Sequence, residues 1–209
     1  MENLGELWQK GGPFMFALLV CSVCIAMISI ERWRFYRQAR QGMATFHDRL
    51  ANILQHNTTE KALQLLAAES SAGATLAYAG LSANLKGEDV ALALDVAYGD
   101  LAMKLRARLN YLSMFVTMAP LLGLLGTIAG MIQSFSIFNL RAGEPLAITG
   151  GIGEALIATA TGLCVAIFAL VVHTYFAQKL DEILTFMDVT SLCVRSHLLI
   201  TKEGIPHAS

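Results

Sequence analysis

Charged residues are scarce in this sequence, and none of them lies deep inside its three long apolar runs. Charged side chains make up 15% of the 209 residues and hydrophobic ones 55%, a balance outside the range of soluble proteins. The net charge is only −1, so nothing indicates nucleic acid as a partner. No internal repeat or low-complexity linker is evident either. The composition favours an integral membrane protein.

Cysteine is also rare, and its four copies form no recognisable metal site. Cys21 and Cys24 make a CxxC pair, but both lie inside the first apolar run, where a thiolate is costly to form. No His or further Cys accompanies them, so packing as small hydrophobic side chains is the favoured interpretation. A metal or redox membrane protein built on these two residues is the alternative. We expect no cofactor and no metal.

Each of the three apolar runs is long enough to cross a bilayer. The first has about 18 residues, or about 27 Å at the helical rise. The runs divide the chain into an N-terminal segment at 1–12, a first span at 13–30, a polar region at 31–110, a second span at 111–138, a short loop at 139–150, a third span at 151–176 and a C-terminal helix and tail at 177–209. We predict an all-α membrane protein with three transmembrane helices and long helical extensions.

Lysine and arginine indicate the orientation of the spans. The short loop has only Arg141 and the N-terminal segment only Lys10. Basic residues instead follow the first span and precede the second: Arg32, Arg34, Arg37, Arg40, Lys104, Arg106 and Arg108. Because basic residues flank spans on the cytoplasmic side, we predict that the polar region and the C-terminal tail are cytoplasmic. The N-terminus and the short loop are then periplasmic.

The polar region is predicted to be helical. An apolar stripe at spacings of three and four comprises Val90, Leu94, Ala97, Leu101 and Leu105. No helix breaker separates this stripe from the second span, so one helix of about 50 residues is expected. Shorter amphipathic helices are expected at 43–54, 61–68 and 74–85, packed against the long ones. The third span should continue beyond the bilayer through Leu180, Ile183, Met187 and Val194.

Proline occurs once inside the second span, at Pro120. A proline has no backbone N–H, so the carbonyl of Val116 loses its helical partner. We expect a kink there.

Small residues follow one face of each of the last two spans. In the second span they are Ala119, Gly123, Thr127, Gly130 and Ser134, with Gly126 beside them; in the third they are Gly151, Ala155, Thr159, Gly162, Ala166 and Ala169. Such faces contact protein or water rather than lipid. Either they pack helices, with both threonines bonded to carbonyls four residues back, or the threonines line a polar path. Both interpretations stay open.

Glu154 is the one carboxylate beside an apolar run on the predicted outer side. It stands near the start of the third span, where a helix N-terminus favours a carboxylate. It is therefore either a simple cap or the mouth of a proton path. Thr161 shares its face, and His173 is expected at the interface.

A complete proton relay normally has Asp, Glu or His within the membrane. A threonine hydroxyl can orient a proton path but does not store the proton at physiological pH. If this chain helps to conduct protons, a partner must therefore supply the titrating carboxylate.

Two motifs resemble those of a known family. Residues 119–131, APLLGLLGTIAGM, are similar to the second-span signature of the ExbB/TolQ/MotA proton-channel family, and 153–163, GEALIATATGL, to its third-span signature. The chain most resembles ExbB, although many relatives carry Trp at the position of Ala129. MotA is a poorer match because it has an additional span and a larger cytoplasmic domain.

The resemblance implies a homopentamer around a central pore that holds two copies of an ExbD/TolR-type single-span partner. That partner's Asp carries the proton, Thr127 and Thr159 line its surroundings, and Glu154 matches a glutamate near the pore. The expected function is that of an ExbB-like inner-membrane subunit, not an enzyme, that converts proton motive force into work on a TonB-like protein for outer-membrane import. A TolQ-like subunit of a Tol-Pal envelope system working on a TolA-like protein, or a non-conducting scaffold, are the alternatives.

Overall fold

The computed structural model describes the backbone of residues 12–140 and 145–203 and, within these, the side chains of 14–136, 150–153 and 155–199. All regular secondary structure in this part of the chain is α-helical, which confirms the predicted all-α class. Its helices are α1 Gly12–Ala39, α2 Met43–His56, α3 Thr59–Ala67, α4 Ala72–Lys86, α5 Val90–Arg106, α6 Leu109–Leu140 and α7 Pro145–Glu203.

Three helical stretches are long and apolar enough to cross a membrane, one at each predicted span. Large apolar side chains on α1, α6 and α7 are exposed there, among them Phe16, Leu121 and Leu156. Surfaces of this kind are unfavourable in water and suited to lipid tails. The chain is therefore a multi-pass membrane protein.

Some predicted features lie outside the described residues, namely the segments 1–11, 141–144 and 204–209. They include Lys10 and Arg141, on which the orientation argument partly depends, so the orientation stays a prediction. Helices extend into both sides of the predicted loop, because α6 ends at Leu140 and α7 begins at Pro145.

The chain divides into two compact units. The first unit comprises Met1–Glu31 and Arg108–Phe176 and contains the three spans. A buried cluster of Met15, Leu18, Ala119 and Ala166 joins its helices, with Leu122 and Val165 packed against it.

The second unit comprises Arg32–Ala107 and Ala177–Ser209. Its short helices α2, α3 and α4 confirm the amphipathic helices predicted at 43–54, 61–68 and 74–85. The core includes Phe46, whose ring centroid lies 5.5 Å from that of Phe186. The predicted continuation of the third span is also confirmed, since α7 buries Leu180, Ile183, Met187 and Val194 here.

Local capping explains where α4 begins and ends and where α5 begins. The Ser71 hydroxyl accepts a hydrogen bond from the Ala74 N–H at the start of α4. Gly87 ends α4 with a φ of 73°, a left-handed conformation that favours glycine. The Asp89 carboxylate then accepts from the N–H groups of Ala91 and Leu92 and starts α5.

The helix expected to run unbroken from Val90 through the second span is interrupted at two residues, 107 and 108. Helix α5 ends at Arg106 and α6 begins at Leu109. Side chains of α1 explain this interruption, because Arg32 donates to the carbonyls of Lys104 and Leu105, and the Tyr36 hydroxyl donates to that of Leu105 at 2.9 Å. These carbonyls would otherwise accept from residues 108 and 109 of a continuous helix.

Candidate functional site

Glycines bring α6 and α7 into close contact in the first unit. A Cβ atom added at Gly123 would lie 3.1 Å from both the Ala158 carbonyl oxygen and the Thr159 Cα. A Cβ atom added at Gly162 would lie 2.7 Å from the Ala119 carbonyl oxygen and 3.0 Å from the Gly123 Cα. The two backbones therefore touch directly, which only residues without a side chain permit.

This contact continues toward the loop between the two helices. A Cβ atom at Gly126 would lie 2.8 Å from the Ala158 Cβ, and one at Gly130 would lie 2.9 Å from the Ala155 Cβ. Gly151 faces Ser134, whose hydroxyl donates to the Gly130 carbonyl at 2.8 Å. Residues of increasing number on α6 thus contact residues of decreasing number on α7, so the two helices are antiparallel. Much of the predicted small-residue face is occupied by contact between these helices, and Ala166 is buried in the neighbouring cluster.

Thr159 contributes a hydrogen bond between the helices. Its hydroxyl donates to the carbonyl oxygen of Gly123 at 3.0 Å. The packing interpretation instead predicted that Thr159 would donate to the carbonyl four residues back in its own helix. Thr161 does show that local bond, since its hydroxyl donates to the Ile157 carbonyl at 2.8 Å. Thr159 is half-buried, so its hydroxyl lies at the edge of the helix contact.

Thr127 stands one helical turn after Gly123 on α6 and is also half-buried. Its hydroxyl donates to the Leu124 carbonyl, three residues back, at 2.7 Å. A hydroxyl that donates its proton keeps oxygen lone pairs that can accept. Thr127 and Thr159 can therefore each accept a hydrogen bond from water or from a protonated carboxyl group. Neither oxygen can bind or store a proton at physiological pH by itself.

Glu154 lies in the backbone of α7, and its side chain is outside the described residues. The helix begins at Pro145, which puts Glu154 about two and a half turns inside it. The favourable effect of a helix N-terminus fades within the first turn. The simple cap interpretation is therefore not supported by the position of Glu154.

Three other hydroxyl groups near or within the spans show ordinary local bonding. Ser29, Thr117 and Ser136 each donate to a carbonyl three or four residues back. The cysteines are free thiols, with Cys21 buried and Cys24 half-buried. No cluster of three or more metal-binding side chains occurs among the described residues. Pro120 lies inside α6, and its predicted kink stays a prediction.

Sequence reasoning missed two parts of this site. One is Ala158, which packs against Gly126 but lies beside the predicted small-residue face. The other is the Gly123 carbonyl as the acceptor for Thr159. The only feature of the sequence that pointed to the Ala158 contact was the GxxxG spacing of Gly126 and Gly130.

The segment of this chain that is similar to known proteins includes α6 and most of α7. The family model of the MotA/TolQ/ExbB proton channel family matches residues 54–189, which contain both motifs. The putative biopolymer transport protein ExbB-like 1 of Synechocystis sp. is 33% identical over 175 residues, covering 81% of this chain and 69% of that protein.

Two further relatives are more distant or match a shorter segment. The biopolymer transport protein exbB1 of Vibrio cholerae is 27% identical over 179 residues, which is 81% of this chain and 77% of that protein. The Tol-Pal system protein TolQ of Pseudomonas aeruginosa is 35% identical over 106 residues, which is 48% of this chain and 46% of that protein. The chain belongs to the MotA/TolQ/ExbB proton channel family.

Proposed function

We propose that this chain is the ExbB-like subunit of an inner-membrane complex that uses proton flow to do work on a TonB-like protein for outer-membrane import. Its membership of a proton channel family supports this function. Relatives named ExbB support it further, and the match to the Synechocystis protein extends over most of both chains. A TolQ-like role is the second candidate, because the Pseudomonas aeruginosa TolQ is similar to almost half of the chain.

The observation that carries the proposal is the pair of half-buried threonines on α6 and α7. Thr127 and Thr159 place hydroxyl oxygens with spare acceptor capacity at helices that are otherwise apolar. An acceptor at this depth suits a protonated carboxyl group that passes along the helix. The chain has no carboxylate deep in its spans, so the proton carrier is an Asp on an ExbD/TolR-type single-span partner. A non-conducting scaffold would need no such acceptors.

The channel subunit acts as a homo-oligomer, a pentamer by resemblance. Helix α5 supports a contact with a further copy, because one face of it is apolar yet open. Leu92 and Val96 are 64% exposed and Met103 is 65% exposed, at steps of four and seven along the helix. These residues lie outside the apolar spans, so lipid does not cover them. A second copy would remove them from water.

Glu154 is proposed as the mouth of the proton path. It is the carboxylate next to the third span on the side away from the basic residues. In Glu154→Gln the charge is lost while the size of the side chain is kept. We expect weaker partner-dependent proton flux or weaker assembly with the partner. Normal flux and normal assembly in this variant would exclude Glu154 from the path.

The decisive experiment reconstitutes the chain in liposomes with and without an ExbD/TolR-type single-span protein. We expect a pH-sensitive dye inside the liposomes to report proton flux only when both proteins are present and the partner's membrane Asp is intact. Asp→Asn in the partner should stop the flux without preventing co-purification. Equal leakage with and without the partner would contradict the proposal, and no flux in a correctly assembled complex would favour the scaffold.

The client system is assigned by complementation. The chain and its single-span partner are expressed in host strains that lack their own ExbB-type or TolQ-type pair. Restored growth on a TonB-dependent iron source is the expected result. Restored resistance to detergent without growth on that iron source would assign the TolQ-like role instead.

A further inference from the structure

The arginines that follow the first span fall into two groups by what they contact. Arg32 is buried and donates to the carbonyls of Lys104 and Leu105. Arg40 forms an ion pair with Glu182, with 2.9 Å between nitrogen and oxygen. Both of these arginines therefore have a structural role inside the second unit.

Arg34 and Arg37 differ from them. Both side chains are exposed, and neither pairs with a carboxylate among the residues that the structure describes. The Arg37 guanidinium lies over the ring of Trp33, 5.8 Å from its centroid, within the range of a cation–π contact. Trp33 itself is 53% exposed. Two cations and an indole ring are thus presented outward together.

Their position on α1 indicates what they meet. Residues 27, 30, 34 and 37 follow one face of a helix, at steps of three, four and three. Met27 and Ile30 on this face are exposed apolar side chains at the end of the first span, and surfaces of this kind are suited to lipid tails. The next turns of the same face therefore lie at the depth of the lipid headgroups, where Trp is also favoured.

We propose that Trp33, Arg34 and Arg37 bind the phosphate headgroup of an anionic phospholipid. Arg34 and Arg37 are about 4.5 Å apart along the helix axis, so both guanidinium groups can reach one phosphate. Arginine binds phosphate through two parallel hydrogen bonds, and the Trp33 ring orients Arg37. This site is independent of the proton path and is present whichever client the complex serves.

Native mass spectrometry of the full-length protein in detergent tests the site. Phosphatidylglycerol is added as the anionic lipid and phosphatidylcholine as the neutral one. We expect wild type to retain phosphatidylglycerol preferentially. The double variant R34Q/R37Q should bind it about tenfold more weakly, since charge-assisted hydrogen bonds are lost. R34K/R37K, which keeps the charge but not the planar fork, should be intermediate.

The matched control is K61Q/K86Q, which removes two exposed positive charges on α3 and α4. Its phosphatidylglycerol affinity should equal that of wild type. Unchanged affinity in R34Q/R37Q, or an equal loss in the control, would overturn the proposal. A large excess of inorganic phosphate should leave lipid binding unchanged, and complete displacement would make this a site for free anions instead. Loss of the oligomer in R34Q/R37Q with unchanged lipid binding would assign the arginines to a second copy of the chain.

Discussion

The hydroxyl of Thr159 on α7 donates a hydrogen bond of 3.0 Å to the carbonyl oxygen of Gly123 on α6. This bond is possible because glycines at 123 and 162 let the two backbones touch. The same residue type two positions later, Thr161, donates within its own helix. Thr159 therefore joins α6 and α7, whereas Thr161 does not, so the two threonines can be compared by mutation.

Thr159→Val should abolish coupled transport and partner-dependent proton flux. Valine keeps the shape of threonine but removes the hydroxyl, which takes away both the bond to Gly123 and the acceptor on the path. The lost bond costs about 1 kcal/mol, so the oligomer should still assemble. Transport assays and gel filtration of the same preparation measure the two effects.

Two companion variants separate the hydroxyl from the packing. Thr159→Ser keeps the hydroxyl and should retain most of the flux. Thr161→Val removes a hydroxyl that bonds only to Ile157 and should behave like wild type. Full activity in Thr159→Val, or equal losses at positions 159 and 161, would reduce the role of Thr159 to helix packing.

Thr127→Val should lower proton flux in the same assay, but less than Thr159→Val does. The Thr127 hydroxyl bonds to Leu124 on its own helix, so its removal leaves the contact between α6 and α7 unchanged and takes away only an acceptor. Thr117→Val is the control, because Thr117 also donates to a carbonyl three residues back, that of Met114. A larger loss at position 127 than at 159, or a similar loss at 117, would refute this order.

Gly162→Ala should destabilise the protein. The added Cβ would lie 2.7 Å from the Ala119 carbonyl oxygen and 3.0 Å from the Gly123 Cα, and backbone atoms cannot move aside without separating the helices. Overpacking of this kind typically costs about 1–3 kcal/mol. Thermal unfolding in detergent measures the change.

Gly153→Ala is its matched control on the same helix. A Cβ atom at Gly153 meets nothing within 4 Å, and alanine favours a helix over glycine by about 1 kcal/mol. We expect an unfolding temperature equal to that of wild type or higher. If Gly162→Ala were as stable as Gly153→Ala, the backbone contact between α6 and α7 would not be needed for folding.

The positions of the helices could be predicted because they depend on local patterns. Runs of apolar residues locate the three spans, and spacings of three and four locate α2, α3 and α4 in the polar region. Capping residues such as Asp89 act within three positions of themselves. Patterns of this range can be read from a single sequence without knowing how the helices pack.

Features that depend on distant residues could not be predicted. The interruption between α5 and α6 arises from Arg32 and Tyr36, which lie about 70 residues earlier in the chain. The acceptor for Thr159 depends on the register of α7 against α6, and helical periodicity leaves that register open. The sequence indicated that Thr159 lies on a small-residue face but not which carbonyl it would meet.

The last predictions concern Tyr36, which bonds to the chain at the interruption between α5 and α6. Burial raises the pKa of its hydroxyl to about 12, although the nearby Arg32 guanidinium acts to lower it. The hydroxyl donates to the Leu105 carbonyl at 2.9 Å. Tyr36→Phe removes this bond, and because Arg32 still donates to the same carbonyl, the free energy of unfolding should fall by only about 1 kcal/mol. Tyr78→Phe, on an exposed tyrosine, should leave the stability unchanged.

The pH dependence of this difference follows from the raised pKa of Tyr36. The folded protein holds the phenolic proton more tightly than the unfolded chain, whose tyrosines titrate near pH 10. The contribution of Tyr36 is therefore complete below pH 10 and is lost as the pH rises from about 10 to about 12. Unfolding measured across this range should show wild type losing stability faster than Tyr36→Phe. Parallel pH profiles for the two proteins would mean that the Tyr36 hydroxyl is not held buried against Leu105.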